Sequence, residues 1–136
     1  MDSTLIKDQI IIGVDFDGTI TTERDMGHEL VLRDNCYETL LWLRNRGVKL
    51  VLWTCRTGDA LKEALDFLSE HEMLSLFVAV NDQIPEVNEK YQDVARKLGA
   101  DIYIDDKNIF CTEVDWYDIY NVLVKTLTFS EWGKRV

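Results

Sequence analysis

Asp15 and Asp17, two residues apart at the end of the apolar run Ile10-Ile11-Ile12-Gly13-Val14, are the side chains of this chain best placed to do chemistry. Successive side chains of a strand point to opposite faces, so these two carboxylates can address one site while Phe16 turns away. Gly18 follows at once and lets the chain bend sharply. Carboxylates crowded at the end of a buried strand repel one another and are hard to keep ionised without a cation between them. The expected cation is Mg2+, which prefers hard oxygen ligands.

Other polar residues also fall where apolar runs stop. Residues 48–53 read as a strand and end in Thr54, with Arg56 two positions on. Residues 101–104 read as another and end in Asp105-Asp106. Lys90, Lys97 and Lys107 lie near that acidic pair, and Lys97 is the first choice among them for a catalytic lysine, with Lys90 as the alternative. Arg56 has the fork geometry to grip a phosphate, or to cap a helix. Acids at strand ends are also common as turn formers. That account treats each place separately and does not explain why the acids collect at the carboxyl ends of strands, where open α/β sheets bind ligands.

The elements that must carry these residues alternate β and α along most of the chain, which predicts an open parallel sheet with helices on both faces. Residues 18–31 read as an irregular loop that overhangs the site, with Arg24, Asp25, Met26 and His28 as side chains able to touch a substrate. Residues 35–46 have helical spacing through Cys36, Leu40, Leu41 and Leu43, with Gly47 as the stop. Asp59 reads as the N-cap of a helix to about Glu70, with Leu61, Ala64, Leu65 and Leu68 on its apolar face. Residues 76–80 form a third strand, Pro85 opens a helix that continues to about Leu98, and Trp116, Ile119, Tyr120 and Leu123 line a last amphipathic helix.

Composition narrows the function. A chain of 136 residues, 46% of them hydrophobic, suits one domain with one core. A net charge of −10 argues against nonspecific nucleic-acid binding and against attraction to anionic lipid. No apolar stretch approaches the roughly 20 residues that span a bilayer, and the first residues lack the order of a signal peptide, so the expected location is the cytoplasm. Cys36, Cys55 and Cys111 have neither zinc-site nor C-x-x-C spacing and are expected as reduced thiols. A cysteine-phosphatase reading of Cys55 fails because no glycine-rich phosphate loop accompanies it.

Asp15-Phe16-Asp17-Gly18-Thr19 matches D-x-D-G-T, the signature of the haloacid dehalogenase (HAD) superfamily, and residues 52–56 and 104–108 are similar to the corresponding pieces of short bacterial and phage members. The resemblance spans residues 10–123 or so. It implies a three-layer, Rossmann-like (HAD-like) parallel sheet without a cap domain, since neither interval between the motifs has room for one. It further implies a Mg2+-dependent phosphohydrolase acting on a phosphomonoester. Asp15 would be the nucleophile and Asp17 the general acid and base. Thr54 and Lys97 would bind the phosphate, with Gly18 and Arg56 beside it. The metal would lie on Asp15, the Asp17 backbone carbonyl and one or both of Asp105 and Asp106. A receiver domain places its acidic pair before the phosphorylated Asp, so the order here argues against one. A catalytically weak, phosphate-binding or regulatory protein on the same fold is the alternative. The partner is a phosphorylated substrate whose identity stays open, and so does the oligomeric state, a homo-oligomer included.

Overall fold

The structure, a computed structural model, describes residues 10–25, 27–82, 100–107 and 113–128. Among the described residues, four short strands form one parallel sheet: β1 (Ile11–Val14), β2 (Lys49–Leu52), β3 (Phe77–Val80) and β4 (Ile102–Ile104), in the order β3-β2-β1-β4. Three helices accompany them among those residues: α1 (Cys36–Asn45), α2 (Gly58–Glu70) and α3 (Trp116–Thr128), and a 3-10 turn (Leu74–Leu76) leads into β3. The architecture is an α/β, Rossmann-like arrangement, as the alternation of periods predicts. No cap domain occurs among the described residues, and no helix among them is long and apolar enough to cross a membrane.

Register follows from burial. β1 pairs with β2 through Ile12↔Leu50 and Val14↔Leu52, and with β4 through Ile12↔Ile102 and Val14↔Ile104. These matched residues lie on one side of the pleat. There Ile12, Val14, Leu50 and Leu52 share a core with Leu40 and Leu43 of α1, Ala64 and Leu68 of α2, and Leu123 and Leu127 of α3. A one-residue slip would turn this whole set to the opposite face, so the pattern holds the strands in place. The opposite face is buried as well: Ile11 and Val51 form a second cluster, packed by Trp53, Ala79 and Ala100. Burial on both faces is what a parallel sheet requires, and it explains why the strands read as continuous apolar runs. The side chain of Asp101 locks the outer pairing, accepting a 2.8 Å bond from the Ile11 N–H while the Asp101 N–H donates to the Ile11 carbonyl.

The helices begin and end close to where the residue pattern puts them. Gly47, at φ +89, closes α1 as expected. α2 starts earlier than its acid suggested: Thr57 occupies the N-cap and Asp59 falls inside the first turn, where the helix dipole favours a negative charge. Its buried stripe is also rotated, to Ala64, Phe67 and Leu68, because Phe67 meets the Phe16 ring edge-on at 5.9 Å. The helix expected after Pro85 lies outside the described residues, as does the stretch that begins at Asn108.

Candidate functional site

β1 is central, with β2 and β3 to one side and β4 to the other. The chain order therefore reverses direction between β1 and β4. In open α/β sheets such a switch point leaves a crevice at the carboxyl ends of the strands, because the loops there diverge to opposite sides. Asp15 leaves β1 at this crevice, and its N–H donates to the Ile104 carbonyl at 3.0 Å. Asp105 and Asp106 leave β4 beside it. Carboxylate oxygens of Asp15, Asp105 and Asp106 all lie within 4.8 Å of one another.

The electrostatics of this group are uneven. Burial, reinforced by the neighbouring charges of Asp105 and Asp106, pushes the Asp15 carboxyl up to about 7. Burial is the largest single influence on Asp106 and opposes its ionisation, but the hydrogen bonds from Arg24 and Asp105 and the charges of Lys107 and Arg24 together hold that carboxyl below the usual range. Arg24 reaches in from the overhanging loop and donates Nε to Asp106 Oδ2 and Nη2 to the Asp106 carbonyl, both at 2.7 Å. The other carboxylate oxygen, Asp106 Oδ1, is buried without a hydrogen-bond partner. Three carboxylates, one carrying an orphaned buried oxygen, are hard donors whose geometry fits a divalent cation. Of the three lysines considered, Lys90 and Lys97 lie outside the described residues. Lys107 is exposed, and its charge favours the ionised forms of Asp15 and Asp106.

The turn that follows β1 is built for close approach. Gly18 stands at φ +77, and a Cβ there would run into the Asp106 carboxylate and the Arg24 side chain. Thr19 is fully buried and donates its hydroxyl to Asp15 Oδ2 at 3.3 Å. Beyond it, the loop becomes a flap pinned by a Thr21↔Leu32 antiparallel bridge, and Arg33 donates Nε to the carbonyls of Gly18 and Thr21.

Thr54 follows β2 at the same edge. Its N–H is held by the side-chain oxygen of Asn81, the residue that follows β3, at 2.7 Å. Its hydroxyl oxygen accepts the Arg56 N–H at 3.1 Å, which leaves the hydroxyl proton to be donated elsewhere.

Asp17 and Arg56 pair with each other. The Asp17 side chain lies outside the carboxylate group, consistent with a metal contact through its backbone carbonyl alone. It accepts Arg56 Nε on Oδ2 and Arg56 Nη2 on Oδ1, each at 2.8 Å. Arg56, read as a phosphate ligand or as a surface or helix-capping residue, is instead 1% exposed, with its remaining nitrogen Nη1 on the Ala60 carbonyl and on Glu63. A guanidinium enters an interior only when its donors are matched, and here they are matched by the protein itself. The bond from Asp17 leads the interactions that hold Arg56 above its ordinary value, with burial opposing.

Residue patterning missed Asn81 and Glu63. Asn81 did carry a signal, a turn-forming residue at a strand end, and it stands at φ +54. Glu63 carried none, because its partner is chosen by packing.

No protein-family model matches the chain, and no curated protein matches it significantly. A solved structure does: that of a conserved protein from Bacteroides thetaiotaomicron is 34% identical, superposes with a TM-score of 0.74, and is matched over 95% of its length by 90% of this chain. At that identity and coverage, this chain belongs to the same family as the conserved Bacteroides thetaiotaomicron protein.

Proposed function

We propose that this protein is a metal-dependent phosphohydrolase of the HAD type, cleaving a phosphomonoester through an aspartyl phosphate on Asp15. The observation that carries the reading is the meeting of Asp15, Asp105 and Asp106 at the switch point between β1 and β4, within reach of one cation. Phosphoryl transfer asks a protein chiefly for positioning and for neutralisation of charge spread over the phosphoryl oxygens. A Mg2+ ion held by Asp15, Asp105 and Asp106 would supply part of that neutralisation. In the first step an oxygen of Asp15 bonds to phosphorus as the bond to the leaving oxygen breaks, and Asp17 gives its proton to that oxygen. In the second, Asp17 takes a proton from water, the water oxygen bonds to phosphorus, and the bond to Asp15 breaks, releasing phosphate. Thr54 donates its hydroxyl to a phosphoryl oxygen, and Thr19 steadies Asp15.

The alternative, a phosphate-binding module with little turnover, has one observation in its favour: both oxygens of Asp17 already accept bonds from Arg56. Phosphate release from a broad panel of phosphomonoesters, with Mg2+ or with chelator, separates the two. Metal-dependent release that is lost in Asp15→Asn is the expected result. Equal release from the two proteins, or none, overturns the hydrolase reading.

A further inference from the structure

Arg56 meets two of the residues to which the proposed reaction assigns work. Its guanidinium forks both oxygens of Asp17, and its backbone N–H fixes the hydroxyl oxygen of Thr54. It is itself held from three further sides. Nη1 donates to the Ala60 carbonyl and to Glu63 Oε1, each at 2.9 Å and both in the first turns of α2, and the guanidinium carbon lies 5.1 Å from the centre of the Phe16 ring. Phe16 is the residue between the two aspartates and is wholly buried. Arg56 is thus a rigid link from the β1 turn to α2, and Asp17 is the end of that link nearest the site.

We propose that Arg56 is a positioning residue that holds the Asp17 carboxylate in one orientation for proton transfer to the leaving oxygen and from water; this inference rests on the phosphohydrolase reading. A carboxylate offers about four lone-pair positions, two on each oxygen. The fork occupies one on each, so the partly exposed carboxylate keeps one on each oxygen for the travelling proton. An Asp side chain without such a fork would spread over its rotamers, and proton transfer at a defined oxygen depends strongly on placement. Lysine cannot replace the arginine here, because a single ammonium cannot engage both oxygens in a plane.

The test uses the full chain with Mg2+ and a series of phosphomonoesters, from 2,4-dinitrophenyl phosphate, whose leaving group needs no proton, to simple alkyl phosphates, whose leaving group must receive one. For Arg56→Gln, kcat/KM, which reports the steps through aspartyl-phosphate formation and not the later hydrolysis common to every ester, should fall about 100-fold on alkyl phosphates, the low end of what general acid catalysis supplies. It should fall far less on the dinitrophenyl ester. Adding Arg56→Gln to Asp17→Asn should cost no further activity on alkyl phosphates. A kcat/KM loss equal across the series, an additive double variant, or a gain in kcat/KM overturns the assignment. If Arg56→Gln does not fold, Arg56→Lys carries the test: it keeps the charge without the fork and should show the same leaving-group-dependent loss in kcat/KM. Wild-type kcat/KM in that variant overturns the role. A wild-type protein that hydrolyses none of the series removes the phosphohydrolase reading itself and this inference with it, a result distinct from a uniform loss in the variants.

Discussion

Trp116 of α3 donates its indole N–H to the carbonyl of Thr19 at 2.7 Å, across 97 residues of sequence, and so ties the last helix to the turn that carries both aspartates. The indole is 1% exposed, so neither partner has water as a substitute. Trp116→Phe should destabilise the protein by about 1–3 kcal/mol, the cost of leaving a buried polar group unpaired. Urea unfolding of the two proteins measures this, and equal midpoints would show that the bond does not hold the turn.

Gly18 is confined twice over, by its backbone and by its neighbours. At φ +77 an alanine costs about 1–2 kcal/mol from the left-handed conformation alone. Its methyl would also meet the Asp106 carboxylate, which belongs to the carboxylate group, and the Arg24 side chain. Gly18→Ala should therefore lower Mg2+ affinity as well as stability, and isothermal titration with the metal alone would register the weaker binding. Unchanged affinity in a folded variant would mean that Asp106 contributes little to holding the ion.

The raised Asp15 carboxyl sets a pH dependence whose sign is fixed. Its folded value is about 7, against 3.8 ordinarily, so between these values the folded chain binds a proton that the unfolded chain does not. Its contribution to stability, measured in chelator, should be neutral below about pH 4, become unfavourable as pH rises toward 7, and stay level above. Asp15→Asn should then be more stable than wild type at pH 8, with the gap closing toward pH 4. Added Mg2+ should stabilise the wild type most at the alkaline end. A stability gap between the two proteins that stays constant from about pH 5 to 8 in thermal melts would show that the carboxyl is ionised throughout.

The thiols differ in environment. Cys36 lies wholly buried at the start of α1, where burial foremost, aided by Glu38, pushes its thiol up, whereas Cys55 is exposed. In a Cys111→Ser background one thiol should react promptly with an aromatic disulfide reagent. The second should react only as fast as the protein opens. Prompt reaction of both would contradict the packing of α1 on the sheet.

The positions of Asp15, Asp17, Thr54, Asp105 and Asp106 are legible in the sequence, because each depends on local rules: a short apolar run, its stopping point, and the residues that end it. The β and α alternation gave the parallel sheet for the same reason. The meeting of Asp15 with Asp105 and Asp106, which the resemblance implied, comes about through the strand order. Two features were not legible in the sequence. The flap arginine Arg24, read only as able to touch a substrate, is bound to Asp106. Arg56, two residues past a phosphate-binding threonine, reads locally as one more phosphate ligand, yet burial against Phe16 and α2 turns it onto Asp17. Each of these is a contact between residues far apart in the chain, and a charged side chain with several acceptors in reach takes the partner that satisfies it most fully. Which partner that is depends on how the helices pack against the sheet, and that information belongs to no single segment of the chain.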